Sequence, residues 1–460
     1  MLHKIKSFYK TSLPSSSFRG SEQEQEKRYK RLRFQAFIAG TVGYSLYYVC
    51  RTSLNVVKKP ILDSGILDAH QLGIIISALL FAYAAGKFVN GFMADHSNIR
   101  RFMATGLIIS TIANISVGLL GFIQTGIISI STFVFFIFFA IMWGINGWSQ
   151  SMGAAPAIIA LSRWFPLKDR GTYYGFFSAS HNLGEFLSFL FVGAIVGFFG
   201  WQWGFAGSST AGILGIIVIL LFLHDTPQSK GLPPIEILTG EAKEAKEVIE
   251  KSVSETQKAV LKNPLVWILA LSSACMYISR YAINGWGVLF LQEVKGFSLA
   301  TATQIISINA LLGIVGTVFS GWLSDKLFRG KRNVLAFLFG VLNTISLVLF
   351  LYSGSNIYIN MLSMILFGIA IGVLICFLGG LMAVDIVPRN ASGAALGVIG
   401  IASYIGAGIQ DIISGYLLNS NKIVINNIDV YDFSQVSIFW IAASVISFIL
   451  VLFVWKVKKD

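Results

Sequence analysis

Twelve apolar runs dominate this 460-residue chain, centred on residues 34–56, 72–94, 102–122, 132–161, 172–199, 203–223, 264–291, 301–323, 333–352, 357–385, 391–418 and 435–455. Each is near the roughly 20 residues that an α-helix needs to cross a bilayer, where a helix satisfies its own backbone hydrogen bonds without water. Composition agrees. Hydrophobic residues make up 55% and charged residues 12%, with a mean hydropathy of +0.71, whereas soluble domains carry about 25% charged residues. The expected fold is an all-α membrane protein of twelve transmembrane helices.

Two arginines stand against that background. Arg51, in Tyr47-Tyr48-Val49-Cys50-Arg51, and Arg280, in Ser279-Arg280-Tyr281, both lie deep in apolar runs, 229 positions apart. Arginine at mid-helix costs roughly 2.5 to 3.5 kcal/mol on insertion scales, and a guanidinium does not shed its proton. Each should therefore face a cavity and an anion. Other landmarks keep nearly the same period: Gly91 to Asp95 recurs as Gly321 to Asp325, and Pro166 to Gly184 aligns with Pro388 to Gly406. The chain reads as two pseudo-symmetric six-helix bundles, residues 34–223 and 263–455, with a tail at 1–33, a polar linker at 224–262 whose Ala/Glu/Lys-rich helical pattern runs to Glu250, and a short end at 456–460. Parallel repeats place the two arginines at equivalent depths between the halves.

The net charge of +13 follows topology. Lysines and arginines crowd the tail and the alternate connections, at Arg100, Arg101, Arg163, Lys168, Arg170, Lys326, Arg329, Lys331, Arg332 and Arg389. The opposite loops hold mainly Lys58, Lys59, Lys295 and Lys422. By the positive-inside rule both termini are cytoplasmic, and no nucleic-acid partner is needed to explain the charge. The tail reads as a mobile or surface-lying segment. The first apolar run follows it and is long enough to stay as an anchor, so no cleavable signal peptide is expected. Cys50, Cys275 and Cys376 sit in apolar runs and read as small buried hydrophobes. Metal-ligand spacings, a nucleophile elbow and a dinucleotide fingerprint are all missing, which argues against an enzyme and against a cofactor.

Further polar groups cluster at helical spacing. Tyr44, Tyr47, Tyr48 and Arg51 are expected on one face of span one, as a cavity lining would be. Lys87, two turns before the end of span two, either joins that cavity or snorkels to the interface. His181 and Glu185 are neighbours at i and i+4, suited to a site or to polar helix packing. Asp411 is a deep acid with no partner visible in the sequence, and a helix contact explains it equally well.

Several of these pieces together resemble the organophosphate/inorganic phosphate antiporters of the major facilitator superfamily, the bacterial hexose-phosphate and glycerol-3-phosphate carriers and their sensor-like relatives. They are Gly43-Tyr44 through Arg51, Gly86-Lys87-Phe88 with Gly91 and Asp95, His181-Asn182-Leu183-Gly184, the linker entry from Asp225 to Pro234, Arg280-Tyr281 with Trp286, and Gly321 to Lys326. The resemblance runs from about Tyr29 to the last span. It implies that Arg51 and Arg280 grip a phosphate, with Lys87 and His181 beside them and Tyr44, Tyr48 and Tyr281 around the substrate. It also implies an Asp-Arg latch at Asp95 with Arg101 and at Asp325 with Arg332. This chain departs from the family at Thr52, where a basic residue is common, at Gly285, where an acid is common, near Ile375-Cys376-Phe377, and at Ile399, where hexose-phosphate carriers have lysine. Those departures concern the organic end of the substrate and the gating helices more than the phosphate clamp.

The implied activity is exchange of a sugar phosphate for inorganic phosphate by alternating access, in a bacterial inner membrane, as a monomer without cofactor. The phrase Ala282-Ile283-Asn284 before Gly285-Trp286 favours hexose 6-phosphate. The alternatives are a transporter-like sensor of external sugar phosphate and a glycerol-3-phosphate/phosphate antiporter. In an empty cavity the two arginines are expected to repel by about 2 kcal/mol, for a separation of ~9 Å and an effective dielectric of ~20, which would hinder closure without an anion.

Overall fold

A computed structural model describes residues 7–16, 18, 20–126, 130–239, 260–328, 331–387, 392–425 and 428–455. The polar pattern ending at Glu250, Arg389, residues 456–460 and the Asp325 side chain lie outside the described residues. Twelve long helices carry the fold: α1 (Glu22–Asp63), α2 (Ala69–Asp95), α3 (Ile99–Thr125), α4 (Thr132–Trp164), α5 (Asp169–Phe199), α6 (Trp201–Phe222), α7 (Pro264–Glu293), α8 (Leu299–Trp322), α9 (Arg332–Tyr352), α10 (Ile357–Leu381), α11 (Ser392–Ser420) and α12 (Ser434–Phe453). Eleven are long and apolar enough to span a membrane. The twelfth, α1, has 42 residues, but Arg51 and its tyrosines lower the hydropathy of its apolar run.

Local chemistry sets the helix starts. Ser21 and Glu24 form a reciprocal capping box, so α1 begins well inside the basic tail instead of at residue 34. Upstream of it, the tail is docked: the Tyr9 hydroxyl donates to Thr105 at 2.9 Å, and the Ser12 amide donates to Asp225 at 2.7 Å. The described part of the tail thus lies on the folded surface, the second of the two states expected for it. Asp68 and Gln71 form a second capping box at α2. The tight turns entering α2 and α8 use Gly65 and Gly296, at φ 67° and 68°, a conformation that glycine takes without a Cβ penalty. The two glycines lie 231 positions apart, within a residue or two of the period of the repeat.

The halves α1–α6 and α7–α12 meet through α2 with α11, α5 with α8, and α1 with α7. They close at the face where α1 ends and α2 begins. There the Ser77 hydroxyl donates to the Gly408 carbonyl at 2.7 Å, Gly193 lies against Thr303, and Lys59 pairs with Glu293. A short antiparallel hairpin, β1 (Ile423–Ile425) with β2 (Ile428–Val430), follows α11 on this side; alternation too brief to read in the sequence forms it. Gly73 makes the closest approach. A Cβ there would meet the Asp411 carbonyl and lie 3.3 Å from the Gly415 Cα. Overpacking costs about 1 to 3 kcal/mol, so Gly73→Val is expected to depopulate this closed face by roughly 10- to 100-fold. The measurement is labelling of Ser77→Cys by an impermeant thiol reagent from the hairpin side, which should rise; unchanged labelling would show that the seal does not depend on this approach.

On the opposite face, which carries the tail and the linker entry, the latch differs from expectation. Arg163 at the end of α4 binds the Asp225 carboxylate at 2.5 Å, the Ser97 carbonyl at 3.2 Å and the Asp95 carbonyl at 3.1 Å. Asp95 therefore contributes a backbone acceptor at a helix end, where a cation is favoured, and Arg163 takes the role assigned to Arg101. Arg101 instead donates to the Phe8 carbonyl at 2.7 Å. Arg332 pairs with Asp385 at 2.6 Å and donates to the Leu381 carbonyl.

Candidate substrate cavity

A cavity of about 520 Å³ lies between the halves. Its walls come from the parts of the helices nearest the linker face: Lys87 near the end of α2, Tyr174 and Phe177 early in α5, Gly379 to Leu381 ending α10, and Leu396 early in α11. It opens to that face and is shut from the hairpin face. Tyr44, Tyr48, Lys87, His181 and Arg280, all expected site residues, line it, together with Tyr83, Tyr277 and Tyr404. Arg51 and Tyr281 sit behind this lining.

Arg51 is only 5% exposed. One terminal nitrogen, Nη2, donates to the Tyr281 hydroxyl of the other half at 3.1 Å. Its guanidinium carbon lies 4.2 Å from the Tyr83 ring centre, 5.2 Å from Tyr48 and 5.4 Å from Tyr404. Aromatic faces attract a desolvated cation by roughly 2 kcal/mol each at best, which explains how the charge tolerates its depth. The second nitrogen, Nη1, is buried without a hydrogen-bond partner among the described residues. That donor remains available to an anion.

Arg280 is held differently. It forms an ion pair of 3.3 Å with Glu185 of α5, and the other Glu185 oxygen accepts from the Asn284 amide at 2.8 Å. All three residues are buried. An uncompensated buried charge costs several kcal/mol, and Glu185 removes that cost for Arg280 when no anion is bound. The expected repulsion between two bare arginines is therefore corrected: among the described residues Arg280 has a carboxylate partner and Arg51 has none, and aromatic rings surround Arg51. The i, i+4 spacing marked Glu185 as a neighbour of His181, yet only the docking of α5 on α7 shows its partner.

Lys87 is exposed at the cavity, with its ammonium 5.5 Å from the Tyr404 ring centre. The His181 ring lies 5.9 Å from that of Tyr48, and its Nε2 is buried without a partner; the turn at Ala179 that divides α5 sets this position. Tyr44 packs edge-on against Tyr48. Tyr47 departs from the face assigned to it. Its hydroxyl donates to the Met103 carbonyl inside the first half, because a step of one residue turns a helix by about 100°.

Sequence reasoning passed over Tyr83, Tyr277 and Tyr404. Tyr83 stands four residues before Lys87, and Tyr277 four before Tyr281, so helical spacing could have found both. Tyr404 follows Ser403, the counterpart of His181, but Ser403 bonds Ser273 within its own half while Tyr404 faces the cavity. Where the family pattern breaks near Cys376, α10 widens into a π-helical turn, Phe377–Leu381, that brings Gly379 and Gly380 to the cavity wall. Ile399 is fully buried.

Two six-helix halves around one central cavity define a secondary transporter architecture, and residues 40–411 match the family described as Major Facilitator Superfamily. The chain is 34% identical over 405 residues to a probable hexose phosphate transport protein of Chlamydia pneumoniae, covering 83% of this chain and 84% of the relative. It is 31% identical to the glycerol-3-phosphate transporter of Bacillus subtilis, over 95% of this chain and 96% of the relative. It is 32% identical to the membrane sensor protein UhpC of Salmonella typhimurium, over 85% and 86%. Among solved structures, a bacterial homolog of the human lysosomal transporter Spinster, inward-facing and unoccupied, superposes with a TM-score of 0.68 at 18% identity, covering 92% of this chain and 95% of that one; at that identity the likeness concerns the fold alone. The chain belongs to the major facilitator superfamily and, within it, to the organophosphate/inorganic phosphate antiporter family.

Proposed function

We propose that this protein exchanges a sugar phosphate, hexose 6-phosphate in the first place, for inorganic phosphate across a bacterial inner membrane, as a monomer with both termini cytoplasmic. The observation that carries the reading is the pair of buried guanidinium groups, one from each half, at one cavity, with Arg51 Nη1 and His181 Nε2 left without partners. A phosphate monoester carries roughly two negative charges near neutral pH and presents several acceptor oxygens to planar donor forks. It would take the free Arg51 donor and displace Glu185 from Arg280, with Lys87 and His181 on the cavity side.

Contacts to both halves at once favour their closure over the substrate. The anion that leaves is replaced by another because each discharges the same cations. Tyr44, Tyr48 and Tyr281 wall the phosphate end, and Asp95, Arg101, Arg332 and Asp325 belong to the surface that rearranges as the linker face shuts. The organic group would meet α10 and α11, where Gly379, Gly380 and Leu396 leave room and Ile399 supplies no charge.

The test is counterflow in proteoliposomes preloaded with phosphate, using hexose 6-phosphates, glycerol 3-phosphate and phosphoglycerate as external substrates. Uptake of a hexose 6-phosphate that requires internal phosphate is expected. Uptake of glycerol 3-phosphate alone would move the assignment to that substrate. Binding without any flux would favour a sensor, a reading that the similarity to UhpC keeps in view. His181→Ala is expected to weaken phosphate affinity about tenfold, the worth of one hydrogen bond to a charged group, with His181→Gln in between; equal affinities in the binding assay would return His181 to packing.

A further inference from the structure

Lys58 lies seven residues beyond Arg51 on α1. Seven residues are close to two helical turns, so Lys58 occupies the same side of the helix, nearer the hairpin face, and also points at the other half. It is a buried cation, 1% exposed, where the sequence suggested a loop lysine. Its ammonium sits 3.6 Å from the Trp286 ring centre and has no hydrogen-bond partner. The same indole donates through Nε1 to Asp411 Oδ1 at 2.7 Å. Asp411 is fully buried, and its Oδ2 has no partner.

The carboxylate and the ammonium share one small space. A Cβ placed on Gly285 would be 3.3 Å from Asp411 Oδ1 and 3.6 Å from Lys58 Nζ, so both groups crowd the bare backbone at that residue. Lys58 belongs to the first half, and Trp286 and Asp411 to the second. Interior charges are stable only when compensated. Among the described residues the Lys58 ammonium has the Trp286 face in contact and the Asp411 carboxylate nearby without a direct ion pair, so the two charges attract across the indole, and nothing from its own half offsets Lys58.

We infer that Lys58, Trp286 and Asp411 form an inter-half charge lock that holds the hairpin face closed and comes apart each time that face opens. Asp411 sits on the stretch of α11 that meets α2 through Gly73 and Ser77, so any opening between α2 and α11 also separates Asp411 from α1. Water then solvates both charges, and closing requires them to meet again. Lys59 and Glu293 form an ion pair between the same halves, with side chains 28% and 8% exposed, but Lys59 also pairs with Asp63 of its own half, so it keeps a counterion when the face opens. The lock acts whatever the cargo, and so stands apart from the substrate assignment.

The experiment measures spin-label distances between Ser64→Cys and Ser420→Cys, exposed positions on the hairpin face of opposite halves, without substrate and with Cys50, Cys275 and Cys376 replaced by alanine. Lys58→Met is expected to enlarge the long-distance, open population at least fivefold. Asp411→Asn, whose amide oxygen still accepts from the indole, should do the same by removing the charge alone. The double variant should shift by less than the two single shifts combined, and Lys59→Met should shift little. Unchanged distances in both single variants, strict additivity, or an equal effect of Lys59→Met would overturn the lock. If Lys58→Met does not fold, Lys58→Gln with Asp411→Asn makes the same comparison. Since no substrate is present, a failure here and a failure of phosphate exchange are read separately.

Discussion

Arg280→Lys is expected to lower phosphate exchange by roughly 100-fold in proteoliposomes, with Arg51→Lys close behind, although both keep the positive charge. Lysine replaces a planar fork of five donors with a point charge on a flexible stem. Hydrogen bonds to charged groups contribute about 1.5 to 3 kcal/mol, so losing one or two of them lowers affinity by about 10- to 100-fold or more. At position 51 a lysine would also forfeit the flat contact with Tyr83 and the bond to Tyr281. At position 280 it would leave Glu185 with a mobile partner in place of a fixed one. The check is labelled-phosphate exchange alongside size-exclusion profiles that report folding. Near-normal exchange in both variants would remove the clamp from the mechanism.

Under the proposed function, Glu185→Gln should separate net phosphate efflux from phosphate exchange. Glutamine keeps an acceptor for Asn284 but leaves Arg280 without its carboxylate in the empty cavity. Closing an empty transporter would then bury an uncompensated guanidinium, at a cost of several kcal/mol, whereas closing around phosphate would not. Net efflux of labelled phosphate into phosphate-free medium is therefore expected to fall by at least about tenfold, the effect of 1.4 kcal/mol. Exchange against external phosphate should change by less than about threefold, with tighter phosphate binding because the internal competitor is gone. Equal loss of both fluxes would mark Glu185 as structural, and no change in either would show that it does not compensate Arg280 during transport.

The sequence was most informative where a bilayer leaves the chain little choice. The helical spans and the burial of Arg51 and Arg280 were legible because apolar length and the cost of a buried charge are local properties. The latch was misread because loop signatures name residue types without saying which side chains meet. Asp95 and Arg101 are both present, but Arg163 from another helix end reaches the Asp95 carbonyl and the Asp225 carboxylate first. Tyr47 was misplaced by a single helical step, and Glu185 was left without a partner.

What the linear chain determined by itself, then, is how many helices cross and that Arg51 and Arg280 are buried in them, since hydropathy and desolvation act on each segment alone. Tertiary structure alone decided which groups partner the buried charges. Glu185 is 95 residues from Arg280, and Asp411 is 125 from Trp286. Each pair joins different helices, and close approaches such as Gly406 of α11 against Ala274 of α7 set how they dock. Because the contact between Glu185 and Arg280 crosses the halves, the counterion of Arg280 is a property of how the two halves pack and of no segment taken singly.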